Sequence, residues 1–215
     1  PAASFIQWRN FMSKSGVRKS VVAFAIAAAG LVGGTGAASA MGPGKPGNNN
    51  ILPGGNIVQI AVAANQALGE FDYLLAAVGC LTDPSTGANP IVEALTGEDR
   101  LTLFAPTDEA FENLQRALGA TTPSPQLTCT LGAEVVADVL TYHVTEGRRF
   151  SNSVFNANRP KNLEMLNGEA VRTNPDLSLT DIAGQSVGIV GGLANINAAN
   201  GVIHVIDKVL LPFKP

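Results

Sequence analysis

The residues able to do chemistry in this chain are few. Histidine occurs twice, at His143 and His204, and cysteine twice, at Cys80 and Cys129. A carboxylate pair, Asp108 and Glu109, follows the apolar run before it in "RLTLFAPTDEAFENL", Arg100 to Leu114. Two carboxylates released at the end of a buried strand are one arrangement for general acid–base work. They are also what the first turn of a helix prefers. Thr107 stands where an N-cap belongs, directly after Pro106, which has no N–H to give a strand ladder. Acids in the first turn gain roughly 0.3–1 kcal/mol each from the helix dipole. Phe111 and Leu114, three apart, then face the core together. No second catalytic partner accompanies the pair, so the helix-start reading is preferred.

The histidines also lack companions. His143 follows Tyr142 at a helix-to-strand junction, and His204 sits between Ile203 and Val205 in "GVIHVIDKVLL". No HxxxH, HExxH or GxSxG spacing occurs, so neither a metal site nor a nucleophile with its base can be assembled. Both read as packed residues with a hydrogen bond, His143 being the more interesting because Tyr142 adds a second polar group. "GGLANINAANG" lacks the order and spacing of a phosphate loop. "RRF", Arg148 to Phe150, lies near Arg159 and Lys161 and has the composition to bind an anionic group; a solvated loop is the preferred reading. No catalytic, cofactor-binding or metal-ligating residue is predicted.

Residues 1–40 read as a leader. Lys14, Arg18 and Lys19 precede the apolar run Val21–Val32, and "GGTGAASA" ends in the small-x-small pattern Ala38-Ser39-Ala40, the order of a secretory signal peptide starting at Met12. The apolar run is too short and too interrupted by glycine for a membrane anchor. Without this segment the chain keeps ten Lys and Arg against seventeen Asp and Glu, a net charge of −7. That excludes a nucleic-acid partner by bulk electrostatics and leaves no stable membrane insertion after cleavage. Export to the periplasm, the cell surface or the medium makes a Cys80–Cys129 disulfide the default. It closes a loop of about 50 residues, a stabilisation of roughly 4 kcal/mol in the chain-entropy model.

Residues 41–55, "MGPGKPGNNNILPGG", read as a flexible linker. Apolar positions at Ile57, Ile60, Ala61, Ala64 and Leu68 predict a helix opened by Asn56, with Gln59 at the capping-box position. Gly69 breaks it, and Phe71, Leu74, Leu75 and Val78 form the apolar side of a second helix. A short helix runs from Pro90 to near Gly97, a strand from Leu101 to Ala105, and a helix from Asp108 to its stop at Gly119. Val135, Val136, Val139 and Leu140 predict another helix, which becomes extended around Tyr142-His143-Val144. From Leu163 the period shifts towards two, with hairpins at Asn167-Gly168 and near Gly184, then a turn at Asn200-Gly201 and a long strand to Leu211. Helices first and strands last, without regular alternation, predict one α+β domain with a mostly antiparallel sheet over residues 56–213.

Three stretches resemble one family in its own order and spacing. "TLFAPTDEAFENL" is similar to the first signature of the fasciclin domain, Tyr142-His143 to its central tyrosine-histidine motif, and "NGVIHVIDKVLLP" to its second signature. The signature positions are Phe104, Pro106, Thr107, Asp108, Phe111, Tyr142, His143, Gly201, His204 and Asp207, read as structural and open to an interaction role. The resemblance implies a β-wedge wrapped by helices, with the two signatures as neighbouring central strands. It implies adhesion, through contact with a surface or matrix protein or polysaccharide, and no catalysis. The alternative it implies is a carrier of a carotenoid-like apolar ligand, seated between the alanine-rich helices of Asn56–Val78 and the sheet.

Overall fold

The computed structural model describes residues 54–155 and 160–214. The predicted leader, most of the linker and Arg159 lie outside those residues.

Helices come first. Helix α1 spans Ile57–Leu68, α2 Asp72–Gly79 and α3 Pro90–Thr96, ahead of strand β1 at Leu101–Pro106. Helix α4, Asp108–Ala117, a 3-10 segment at Pro125–Leu131 and α5, Ala133–Thr141, lead to β2, Val144–Glu146, and the single turn α6, Ser151–Val154. Strands then dominate: β3 Asn162–Glu164, β4 Ala170–Thr173, β5 Ser178–Thr180, β6 Ser186–Gly188, β7 Ile196–Ala198 and β8 Gly201–Ile206.

The helix starts follow local chemistry. Asn56 Oδ1 accepts from the Gln59 amide at 2.9 Å, Gln59 Oε1 accepts from the Asn56 amide at 3.0 Å, and Gly69 closes α1 in the left-handed region. Asn89 accepts from the Ile91 and Val92 amides to open α3, and Thr107 from the Ala110 amide to open α4. Each such cap is worth roughly 0.5–2 kcal/mol over alanine.

Two four-stranded sheets carry the domain, in the orders β2-β1-β8-β7 and β3-β4-β5-β6. Among the described residues all strand pairs are antiparallel but one: β1 runs parallel to β8, from Leu101 opposite Gly201 to Pro106 opposite Ile206. All twelve residues of that pair are buried. A pair covered on both faces has no solvent side and so no need for polar alternation, which is why both strands read as near-continuous apolar runs, interrupted by Thr102 and His204. Phe104 and Ile206 enter one cluster with Leu163, Val171, Leu179 and Val187 of the second sheet. On the other face, Leu103 and Val144 meet Ile57, Leu74, Ile91, Leu95 and Leu140 from the helices. Full burial of each such side chain contributes roughly 1.5–3 kcal/mol. The bridges Thr145–Met165 and Ile189–Ile206 stitch the two sheets together.

Several local expectations need correction. Tyr142 and His143 form a turn, Tyr142 being the helical C-cap of α5, and extended chain begins only at Val144. Strand β8 stops at Ile206 rather than Leu211, because Asp207 turns aside to bond Gly188. The turn ahead of it is Ala199-Asn200, with Gly201 already paired in the strand opposite Ala198. Leu114 is half-buried, and the inward position beside Phe111 is taken by Gln115, which bonds Ser124 and Thr128. Leu75, Val78 and Val139 are half-buried and Val135 is exposed.

The approach of β8 to β1 leaves no room at Gly201. A Cβ there would be driven into the Leu101 carbonyl and would stand 2.6 Å from Ile57 Cδ1. Overpacking of this kind costs ~1–3 kcal/mol and more where backbone is the obstacle. Gly201→Ala is expected to destabilise the domain by at least about 3 kcal/mol in urea titration, with an unchanged m-value.

Candidate functional site

Asp108 does something other than assist its own helix. Its Oδ1 accepts from the Tyr73 amide at 2.9 Å, in the first turn of α2, whose own N-cap position, Phe71, makes no side-chain cap. One carboxylate therefore serves the positive end of a neighbouring helix. Burial raises its pKa, and the amides of Tyr73 and Asp72 pull the other way. Phe111 of the same signature stacks on Tyr73 at 5.9 Å, so Asp108 and Phe111 together dock α4 against α2.

The histidines are buried and fully engaged. The Leu210 amide donates to His143 Nε2 at 2.9 Å, which makes Nε2 an acceptor. Nδ1 must then carry the proton, and it donates to the Val139 carbonyl at 2.6 Å. His204 has the opposite tautomer by the same reasoning. The Asn195 amide donates to its Nδ1 at 3.3 Å, and Nε2–H donates to the Arg149 carbonyl at 2.8 Å. Burial lowers both pKa values, that of His143 to about 4. Neither ring keeps a nitrogen for a substrate or a metal. Tyr142 is likewise committed: its hydroxyl donates to the Ala170 carbonyl and accepts from the Ile182 amide, both at 3.2 Å. Burial pushes its pKa up to about 12.

The remaining signature positions fasten strands. His204 stacks on Phe104 with ring centroids 5.6 Å apart. Asp207 Oδ1 accepts from the Gly188 amide at 2.7 Å, tying β6 to the end of β8. Thr107 donates its amide to the Ile206 carbonyl at 3.2 Å. Pro106 ends the ladder opposite Ile206. Cys80 and Cys129 are joined, with Cα atoms 5.5 Å apart and 49 residues of separation, clamping the end of α2 to the 3-10 segment.

Two polar residues of equal structural weight were not singled out from sequence. Asn200 is buried; its Oδ1 accepts from the Ile57 amide at 2.9 Å, and its Nδ2 donates to the Leu95 and Gly97 carbonyls at 2.8 and 3.1 Å. It therefore ties the start of α1 and the end of α3 to the β7–β8 turn. Asp181, also buried, accepts from the Gln185 amide and side chain and from the Leu211 amide. The sequence shows Asn200 only as a turn former and Asp181 not at all; nothing local reveals that Asn200 reaches Ile57, 143 residues away, or that Asp181 reaches Leu211, 30 residues away.

"RRF" is not a freely solvated loop. Thr102 Oγ1 donates to the Gly147 carbonyl at 2.7 Å and accepts from the Arg149 amide at 2.9 Å. Arg148 Nη2 donates to the Ala198 carbonyl at 2.6 Å and to Asn197 Oδ1 at 3.2 Å. Arg149 Nε donates to the Glu146 carbonyl at 2.7 Å.

A crevice opens where helices α1 to α3 meet the first sheet, lined by Val58, Ala61, Leu74, Leu75, Val78 and Leu140 among others. Its free volume is about 40 Å³. Pockets that hold drug-sized ligands run to ~300–1,000 Å³. Among the described residues no group of acidic, histidine or cysteine side chains is arranged to hold a metal ion, and no helix is long and apolar enough to cross a membrane.

Comparison with known proteins agrees with this geometry. The fasciclin domain family model matches residues 86–212. Protein sll1483 of Synechocystis sp. is 32% identical over 156 residues, covering 73% of this chain and 73% of that protein. Uncharacterized protein sll1735 of the same organism is 31% identical over 163 residues, covering 73% of this chain and 97% of that protein. Human periostin is 34% identical over 128 residues, which are 57% of this chain but 13% of periostin.

The tautomers fix a pH dependence. The folded pKa of His143 is about 4, below the ordinary 6.5, so between those values the unfolded chain binds the extra proton. The contribution is complete above about pH 6.5 and is lost as pH falls towards 4; His204 acts in the same direction. Stability is expected to fall by about 3 kcal/mol across that window on account of His143. In His143→Gln the domain is less stable at pH 7 and the slope is shallower, measurable by urea titration at a series of pH values.

Proposed function

The chain belongs to the fasciclin domain family, and from that premise we propose that it is an exported interaction module. It works at the cell surface or outside the cell, binding a surface or matrix protein or polysaccharide without catalysis. The observation that carries this reading is the commitment of Asp108, Tyr142 and both histidines to the fold. Asp108, Tyr142, His143 and His204 each hold main-chain atoms of another segment, so removing their protons or partners loosens the structure rather than arming a reaction. What remains for function is the outer surface, which is the basis of an interaction role. The basic-then-apolar order of residues 12–40 supports export.

The carrier reading requires an apolar chamber large enough for a polyene. The crevice of about 40 Å³ is well below that, and the helices around it would have to part. The geometry therefore favours the interaction reading.

Purified full-length protein is expected to bind isolated cell envelopes, or a polymer or protein extracted from them, with a Kd at or below about 10 μM. It is expected to give no visible absorption band when titrated with a carotenoid. Failure to bind any envelope fraction, together with saturable one-to-one uptake of the pigment, would replace this proposal with the carrier.

A further inference from the structure

The chain between Gly147 and Ser151 leaves β2 and crosses the face of the first sheet, and its main chain is held at Gly147, Arg149, Phe150 and Ser151. The Gly147 amide donates to the Arg100 carbonyl, and Thr102 Oγ1 binds both the Gly147 carbonyl and the Arg149 amide. His204 Nε2–H holds the Arg149 carbonyl. The Phe150 carbonyl accepts from the Ser153 and Val154 amides, and the Ser151 amide donates to Asn195 Oδ1. Two of these fasteners are buried side chains of the central strands, Thr102 and His204. A short loop bolted down in this way presents its outward side chains in fixed positions, so a ligand costs it little ordering entropy.

Those side chains are Arg148, Arg149 and Phe150. The Arg148 guanidinium lies 5.9 Å from the Phe150 ring centroid, and Phe150 is 36% exposed. Among the described residues the only ion pair is Arg116–Glu112, so neither guanidinium here meets a carboxylate, Glu146 included. Both are steered by carbonyls instead: Arg148 through Nη2 and Arg149 through Nε. The two terminal nitrogens of Arg149 have no partner among the described residues, and that edge is the one that forks onto a planar oxyanion.

We propose that the Arg148–Arg149–Phe150 tip is a ligand contact of this domain and that its ligand is an acidic polysaccharide, bearing carboxylate or sulfate groups. The proposal rests on the interaction reading above and narrows it. Charge selects the class. The chain carries a net charge of −3 as a whole, which repels any polyanion at long range, so the attraction is local to this tip, and a bilayer or duplex, which presents a broad rigid array of charge, is disfavoured most. A flexible polymer can bring one sugar acid at a time to a small cationic spot. The guanidiniums take the oxyanion, and the exposed aromatic ring takes the apolar face of the sugar.

The test is fluorescence anisotropy of the full-length protein with end-labelled polyguluronate (carboxylates alone), heparin (sulfates as well), neutral dextran, and phosphatidylglycerol vesicles. The variants are Arg148→Gln, Arg149→Gln, Arg149→Lys and, as a bulk-charge control, Arg172→Gln, each checked for its melting temperature. Binding to at least one polyanion but not to dextran or vesicles is expected, weakening as NaCl rises from about 50 to about 500 mM. Arg149→Gln is expected to lose about tenfold in affinity, Arg149→Lys to lose part of that, and Arg172→Gln to bind as wild type. Among the described residues Arg149 makes a single side-chain bond to the fold, so its variants decide the matter if Arg148→Gln does not fold. Equal loss in Arg172→Gln, or vesicle binding in place of polysaccharide binding, would overturn the proposal. So would no polyanion binding in a protein that still binds envelope protein or neutral polymer, which leaves the wider reading standing; binding to nothing at all would remove both.

Discussion

The parallel pairing of β1 with β8 is the constraint on which the rest of the domain depends. These strands are adjacent in space, yet helices α4 and α5, the 3-10 segment and the whole second sheet lie between them in sequence. A parallel pair cannot be closed by a tight turn, so the intervening chain must leave the sheet, cover both of its faces and return. Helices α4 and α5 and the second sheet belong to that intervening cover, and α1 to α3, which precede β1, complete it. The close approach is permitted by Gly201, whose missing side chain leaves space for the Leu101 carbonyl. It is secured by Asn200, whose carbonyl accepts from the Leu101 amide while its side chain gathers the ends of α1 and α3. A turn residue thus sets where two helices dock.

Burying this pair on both faces creates a polar problem that the histidines and threonines solve. The turns around Val139–His143, Arg149 and Leu210 bring main-chain amides and carbonyls into regions with little water. An unpaired group there costs roughly 1–3 kcal/mol. A neutral imidazole offers one donor and one acceptor at opposite corners of a rigid ring, so one side chain can satisfy a carbonyl on one segment and an amide on another. His143 does this between α5 and the C-terminal segment, and His204 between the β7 hairpin and the loop after β2. Charging either ring would turn its acceptor nitrogen into a second donor facing an amide. The residue types that would suggest catalysis are present because of their hydrogen-bond geometry.

Much of this was legible in the sequence. Mostly apolar runs at Leu101–Ala105 and from Gly201 onward announced strands, and Asn56, Pro90 and Thr107 announced helix starts, since those signals are local. The fasciclin resemblance supplied what local reading cannot, the adjacency of the first and last central strands. What stayed hidden is long-range. Asp108 looked like an acid for its own helix because helix-dipole reasoning sees only neighbours in sequence, whereas its partner amide is 35 residues upstream. Asn200 looked like a turn former for the same reason, and Asp181 carried no local signal at all. "RRF" looked solvated because its fasteners, Thr102 and His204, belong to other strands. Gln115 displaced Leu114 from the inward position because it satisfies the loop at Ser124, a demand that apolar periodicity does not register.

The imidazoles act as neutral fasteners of the fold, which leaves the surface for the interaction we propose. Long-range ¹H–¹⁵N correlation spectra of the histidine rings at about pH 6 test this role most directly, because ring nitrogen shifts separate protonated, Nδ1–H and Nε2–H forms. Two sharp, neutral and opposite tautomers are expected: His143 protonated on Nδ1 and His204 on Nε2, both unchanged by the addition of ligand. A ring that titrates near the ordinary value of about 6.5, or that changes tautomer when ligand is added, would contradict it and return that histidine to the list of functional groups.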